Sequence, residues 1–182
     1  MPIDPQRVRL IFDESLKRLL SREAGGLASG VSERNSCARM AMYMQTVSDE
    51  NGLAGYFADA EYNRKQNGKV KTLLNGNYEV VTICCDLILH SRGAIIAEDN
   101  LIAVEMKKAD RPAREKESDR TRLMTLTKAS YDGVWSNDGV TQPEHVCGYV
   151  LGAFVQIDRG QRLCSVEYFS GGVSFDETRQ TF

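Results

Sequence analysis

Two stretches with helical spacing of apolar residues open the chain. From Pro5 to Glu23 the apolar residues recur at intervals of three and four, which places them on one face of a helix. The pair Gly25 and Gly26 predicts the end of this helix, which we interpret as a packing or oligomerisation element. Ser32 predicts a cap for a second helix that runs to about Val47, because a serine side chain accepts hydrogen bonds from the free N–H groups of a first turn. Its inward stripe is predicted to be Cys37, Met40, Ala41, Met44 and Val47.

The strands are predicted from runs of β-branched and other apolar residues. The first long run, Val80 to His90, and the next, Leu101 to Lys107, have this character, and Ala94 to Ala97 between them is predicted to be a short extra strand. His145 to Asp158 is apolar on both faces, which is typical of a central strand covered on both sides. Leu163 to Phe169 is predicted to pair with it as a hairpin.

A further helix and the tail complete the predicted elements. Ser118 is predicted to cap a helix from Asp119 to about Ser130, and the polar tail after Gly171 is predicted to be loose. The order of helix, strands, helix and strand predicts an α/β fold with a mixed central β-sheet flanked by helices. A chain of 182 residues is expected to form a single domain, residues 1–182.

Three charged residues interrupt the apolar strands. Side chains alternate across a strand, so Asp86 lies in an otherwise apolar row, and Glu105 and Lys107 share one face of the next strand. Two carboxylates that converge in a buried site repel each other unless a cation lies between them. Oxygen ligands from carboxylates, a backbone carbonyl and water suit Mg²⁺ or Mn²⁺. A lysine beside such a metal can hold an attacking water, so these parts are those of a phosphodiester hydrolase. The alternative is an exposed strand edge that carries ordinary charges.

Asp86 followed by Glu105-Met106-Lys107 resembles the signature of the PD-(D/E)XK nuclease superfamily, an Asp on one core strand and Glu-x-Lys on the next. The resemblance covers roughly Ser32 to Ile157, with Cys85 in place of the superfamily's proline. It implies a restriction-endonuclease-like core and a metal-dependent nuclease. Asp86, Glu105 and the carbonyl of Met106 would bind Mg²⁺ or Mn²⁺, and Lys107 would position the attacking water. The product would carry a 5′-phosphate, and DNA is favoured over RNA as the substrate.

Glu33 has two interpretations. An acid in a first turn interacts favourably with the helix dipole, which explains it without any function. Glu33 also lies four residues before the buried stripe begins, so its side chain could face the metal. The resemblance implies the second interpretation, because a glutamate of the first helix often joins the site in this superfamily.

The net charge of −2 gives no overall attraction to nucleic acid, so a binding surface has to be a local patch. The stretch from Lys107 to Arg122 has an excess of basic residues, which could contact phosphates next to the metal. An alternative is that these are the charges of a solvated loop. The predicted nucleic-acid contacts are Arg64, Lys108, Arg111, Arg114, Arg120 and Arg122.

Composition also bears on compartment and partners. Five cysteines, an odd number within apolar runs, are typical of reduced core residues in a cytoplasmic protein. The chain begins with no apolar leader, and no apolar run reaches the roughly 18 residues that a membrane helix needs, so we expect no membrane partner. By analogy with the superfamily we expect a homodimer or a partner subunit, and a role in defence against phage. The competing hypothesis is a non-catalytic module of the same fold that binds nucleic acid or a protein within a larger complex.

Overall fold

The computed structural model describes residues 3–62, 72–74, 80–82, 85–128 and 147–182. In these ranges the helices are α1 (Pro5–Arg22), α2 (Ala24–Ser29), α3 (Glu33–Glu50) and α4 (Ala113–Leu126), with a short 3₁₀ helix at Ile96–Glu98. The strands are β1 (Phe57–Ala60), β2 (Thr72–Leu74), β3 (Val80–Thr82), β4 (Leu87–His90), β5 (Asn100–Lys108), β6 (Leu151–Asp158), β7 (Leu163–Ser170) and β8 (Val173–Thr181). Arg64 and the first residues of the predicted strand at 145–158 lie outside the described residues.

The first two predicted long helices are confirmed as α1 and α3. Ser32 caps α3, accepting a hydrogen bond at 3.1 Å from the N–H of Asn35, and all five residues of the predicted inward stripe are buried. α1 ends at Arg22, one residue before the predicted end, but Gly25 and Gly26 do not form the stop, because both lie within α2. The chain turns instead at Gly30, whose left-handed backbone (φ 85°) a residue with a side chain would adopt only with strain.

The main sheet has six strands in the order β1-β4-β5-β6-β7-β8. β5 and β6 run parallel, and every other neighbouring pair is antiparallel, so the predicted mixed sheet is confirmed. β2 and β3 form a separate two-stranded sheet. In the described part of the chain, no helix is both long and apolar enough to cross a lipid bilayer.

Helices cover both faces of the sheet. α1 and α3 bury a large apolar cluster against one face, which includes Leu89, Val104 and Met106. α4 covers the other face, where Leu123 and Phe154 belong to a smaller cluster. The four cysteines that are described are buried thiols and not disulfides, as predicted; they are Cys37, Cys85, Cys147 and Cys164.

Two predicted strands differ from the structure. The run Val80 to His90 does not form one strand: its described part is divided between β3 and β4, which belong to different sheets. Alternation of apolar residues indicates a strand but does not identify its partner. The predicted strand at Ala94–Ala97 is wrong, because the side chain of Asp99 accepts hydrogen bonds from the N–H groups of Ser91 and Gly93 and holds the segment as a turn.

The predicted start of the last helix and the predicted loose tail are also wrong. α4 begins at Ala113, directly after Pro112, and Ser118 lies inside it. Its first turn is charged and exposed, so no apolar periodicity marks it. The tail forms β8, a nine-residue edge strand paired with β7. Its polar sequence suits an edge, where one side of the strand has no neighbour in the sheet.

Candidate functional site

The predicted acidic and basic residues meet near the carboxyl end of β5. Glu105 and Lys107 lie on the face that α4 covers, the same face as Ala103. Asp86 immediately precedes β4, whose pairing with β5 begins at Leu87 opposite Val104. Asp86 therefore lies beside the part of β5 that extends beyond β4.

The Asp86 carboxylate is attached to the backbone of the Glu-x-Lys segment. Its Oδ2 accepts a hydrogen bond of 2.8 Å from the N–H of Met106 and lies 3.5 Å from Nζ of Lys107. The side chain takes the position that a partner strand would occupy, since β4 begins only at Leu87. With 27% of its side chain exposed, Asp86 is the most accessible acid of the group.

Glu105 is a buried carboxylate, only 1% exposed. Its Oε1 forms an ion pair of 2.5 Å with Arg122, which α4 projects toward the strand. Burial, and then the negative charge of Asp86, raise the pKa of Glu105 to about 8, although Arg122 opposes the shift. In this environment the carboxylate lacks sufficient compensation for its charge.

Lys107 lies between two carboxylates. Its Nζ is 3.5 Å from Asp86 Oδ2 and 3.2 Å from Asp119 Oδ2. Burial disfavours the ammonium, but the charges of Asp86, Asp119 and Glu105 outweigh it and raise the pKa of Lys107 above its ordinary value. The side chain is thus a fixed ammonium group at neutral pH.

Asp119 is a member of this group that the sequence interpretation did not place in the site. We predicted a helix-start acid, and this is wrong: Asp119 lies in the middle of α4 and is 4% exposed. Its Oδ1 lies 3.2 Å from Arg122, and its Oδ2 approaches Lys107. Burial raises the pKa of Asp119, against the effect of both cations. Helical spacing in the sequence could have predicted this burial, because Asp119 precedes Leu123 by four residues and so lies on the same buried face of the helix.

These residues form one connected group, here named the charge cluster. It runs from Asp86 to Lys107, Asp119, Arg122 and Glu105, each in contact with the next. The three carboxylates exceed the two cations by one negative charge when all five groups are ionised. The fully ionised charge cluster is therefore acidic, and the side chains of Lys107 and Arg122 balance part of its negative charge.

Glu33 lies beside the charge cluster and not within it. Its Oε1 accepts hydrogen bonds from the N–H of Lys108 (2.9 Å) and from Arg111 (3.0 Å). Burial would raise the pKa of Glu33, but these hydrogen bonds bring it below its ordinary value. Glu33 and Asp86 both line a cavity of about 500 Å³ between the start of α3 and the end of β1, here named the cleft.

The predicted nucleic-acid contacts are dispersed over the surface. Lys108 and Arg111 line the cleft, and Arg114 is exposed in the first turn of α4. Arg120 forms an ion pair of 2.7 Å with Glu167, and Arg122 belongs to the charge cluster. The structure therefore brings two of these side chains to the cleft and engages two others with protein carboxylates. Arg34, which we had not included, also lines the cleft, paired with Glu61.

The donor atoms beside Asp86 suit a hard cation. Oδ1 of Asp86 has no hydrogen bond or ion pair within the described residues. The backbone N–H and C=O of a strand residue point to the same side of the strand. The carbonyl of Met106 therefore points to the side of its N–H, toward Asp86. Arg122 pairs with Oε1 of Glu105, and Oε2 has no hydrogen bond or ion pair with another described residue, so Oε2 is the oxygen that Glu105 could add. In the ranges that the structure describes, no three His, Cys, Asp or Glu side chains form a metal-binding group, and the expected donor set requires two carboxylates with a carbonyl and water.

Comparisons of the chain with models of protein families, with curated proteins and with solved structures found no match.

Proposed function

We propose that the protein is a metal-dependent nuclease of the PD-(D/E)XK type that hydrolyses phosphodiester bonds, with DNA favoured over RNA. The observation that carries the proposal is the position of Asp86 beside the Glu105-Met106-Lys107 segment, where its Oδ2 accepts a hydrogen bond from the N–H of Met106 and lies 3.5 Å from Nζ of Lys107. Glu105 and Lys107 are further linked through the ion pairs of Arg122 and Asp119. Glu105 and Lys107 lie on β5, and Asp119 and Arg122 lie on α4, which favours a fixed geometry for the group.

Each residue of the site has a role in this proposal. Asp86, Glu105 and the carbonyl of Met106 would hold Mg²⁺ or Mn²⁺, which supplies charge stabilisation to the phosphate and acidifies a bound water. Lys107 holds the attacking water and neutralises charge on the phosphoryl oxygens, because its ammonium is fixed beside Asp86. Glu33 assists indirectly by orienting Arg111 at the cleft.

The cleft is the proposed path of the substrate backbone. It adjoins the site through Asp86 and presents Lys108 and Arg111, together with Arg34. Arginine side chains bind phosphate through paired N–H groups, and both arginines are at least partly exposed. Arg34 and Arg111 now pair with Glu61 and Glu33. On binding substrate they would contact phosphate in addition to these glutamates or in place of them. The mixed sheet with helices on both faces supports the α/β part of the proposal.

A second candidate function is a non-catalytic binding module of the same fold. The observation that favours it is that Lys107 and Arg122 already form ion pairs with all three acids of the charge cluster. A site of this kind can be retained as a structural ion-pair network. Such a module would bind nucleic acid at the cleft without cutting it.

A cleavage assay separates the two functions. The purified chain is incubated with single- and double-stranded DNA and with RNA in Mg²⁺, Mn²⁺ or Ca²⁺, next to Asp86→Asn and Lys107→Met. We expect cleavage in Mg²⁺ or Mn²⁺ by the wild type alone, with 5′-phosphate ends. We also expect Mn²⁺ to raise the melting temperature of the wild type and not of Asp86→Asn, since a ligand stabilises only the state it binds.

Arg179→Gln is the matched control, because Arg179 is an exposed residue of the edge strand β8 whose ion pair is with Glu177. This variant should cut as the wild type does. Cleavage that survives both site substitutions would come from a contaminant or another site and would refute the assignment. Binding of DNA with neither cleavage nor a response to Mn²⁺ would favour the binding module.

A further inference from the structure

We propose that Asp119 is a positioning residue that holds the ammonium of Lys107, and with it the guanidinium of Arg122, in place for the reaction. The inference rests on the proposed function and adds to it a residue outside the Asp and Glu-x-Lys pattern. Asp119 contacts both cations of the charge cluster, and each cation also contacts one of the proposed metal ligands.

Burial by itself does not favour an acid at this position. Asp119 lies on the buried stripe of α4 with Leu123 and Leu126, where an apolar side chain would pack. Burying a carboxylate is unfavourable, and a buried ion pair often stabilises a protein less than apolar residues of the same volume. A buried acid retained in such a setting is therefore a candidate for a functional role.

The geometry shows what Asp119 does to Lys107. Nζ lies 3.2 Å from Oδ2 of Asp119, an ion pair without hydrogen-bond geometry, and donates a hydrogen bond of 3.5 Å to Oδ2 of Asp86. The two carboxylates approach the ammonium from different elements. A lysine side chain has about 2 kcal/mol of rotamer entropy, so one contact leaves it more freedom than two. Loss of Asp119 would leave Lys107 with the longer contact only.

Asp119 also remains available when the other acids are occupied. Asp86 and Glu105 are the proposed ligands, and with their charge shared by a bound cation they attract Lys107 and Arg122 less strongly. Within the described residues, the carboxylate of Asp119 has no hydrogen bond to the backbone and does not line the cleft. Its ion pairs are with Lys107 and Arg122. It would keep the ammonium in position while substrate is bound.

The test uses Asp119→Asn and Asp119→Glu in the full chain with a DNA substrate. Displacement of a catalytic group by about 1 Å can lower the rate about 10²-fold, so we expect Asp119→Asn to lower kcat by about that factor. KM should stay unchanged, because Asp119 does not line the cleft. The rise in melting temperature at saturating Mn²⁺ should persist, because Asp119 is not a proposed ligand. Asp119→Glu keeps the charge and should retain more of kcat than Asp119→Asn.

Asp99→Asn is the matched control for loss of a buried acid. Asp99 is 5% exposed and accepts hydrogen bonds from Ser91 and Gly93. It lies six residues before Glu105 along the chain, about 20 Å at strand rise. Its substitution should lower the melting temperature and leave kcat unchanged, which is the result of a purely structural role.

The outcomes separate this inference from the proposed function. A wild-type protein that cuts, together with Asp119→Asn that cuts equally fast, would overturn the role of Asp119 and leave the nuclease proposal intact. Loss of the Mn²⁺ response in Asp119→Asn would make Asp119 a ligand and would also overturn it. Equal losses of kcat in the Asn and Glu variants would show that charge at this position is not what matters, and would contradict the proposal. A wild type that cuts no substrate would refute the proposed function, and the role of Asp119 with it.

Discussion

Glu105→Gln tests whether ionisation of the buried Glu105 carboxyl group destabilises the folded protein. Glutamine has the shape of glutamic acid and carries no charge, so it mimics the protonated form of Glu105 at every pH. The wild-type side chain is 1% exposed, and burial together with Asp86 raises its pKa to about 8. In the unfolded chain the pKa returns to its ordinary value of 4.5. The folded state therefore binds one proton more than the unfolded state between these two values.

The sign and size of the effect follow from this difference. Where the folded state binds more protons, stability falls as pH rises, by up to about 1.4 kcal/mol per pH unit for one group. The contribution of Glu105 is fully present below pH 4.5 and is lost as pH rises through about 8. From pH 5 to pH 8 the free energy of unfolding of the wild type should fall, relative to that of Glu105→Gln, by on the order of 4 kcal/mol at most.

Urea unfolding at pH 5, 6, 7 and 8, without divalent metal, measures this loss. The stability difference between Glu105→Gln and the wild type should grow in favour of the variant as pH rises. Glu167→Gln is the control, because Glu167 also pairs with an arginine of α4 but is 26% exposed. Its difference from the wild type should be small. A difference between Glu105→Gln and the wild type that does not change with pH, or that shifts in favour of the wild type as pH rises, would refute the reasoning.

Three further predictions concern the cleft, the packing of α4 and the helix α2. In an Asp86→Asn background, Arg111→Gln should weaken DNA binding and reduce the slope of log K against log salt by about 0.9, the value for one lost phosphate contact. The control Arg179→Gln should change neither the affinity nor the slope. Equal effects of the two substitutions would argue against DNA binding at the cleft. Gly152→Ala should lower the free energy of unfolding by about 1–3 kcal/mol, since a methyl group there would lie 3.0 Å from Thr127 Cγ2 and 3.1 Å from Phe169 Cβ. Gly25→Ala, where a Cβ meets nothing within 4 Å, should instead stabilise α2, and both are measured by urea unfolding.

Local patterns were sufficient for the elements that bury a continuous apolar face. α1 and α3 follow the helical spacing of their apolar residues, and the Ser32 cap marks the start of α3. β5 and β7 follow runs of apolar and β-branched residues. These features depend on neighbours within a few positions along the chain, so they can be predicted before the fold is known. The closeness of Asp86 to the Glu-x-Lys segment was predicted from the resemblance and agrees with the geometry.

The tertiary structure decided which side chains meet across the charge cluster. Arg122 was predicted to face nucleic acid and instead pairs with buried Glu105. Asp119 was predicted to start a helix and instead lies in the middle of α4, paired with Lys107. The edge strand β8 forms because β7 offers it a partner, although its own sequence is polar. The physical reason is the same in each case. The pattern of apolar positions indicates which side of an element is buried, but the partner of a buried charge or of a strand edge comes from a distant part of the chain and exists only when the chain has folded.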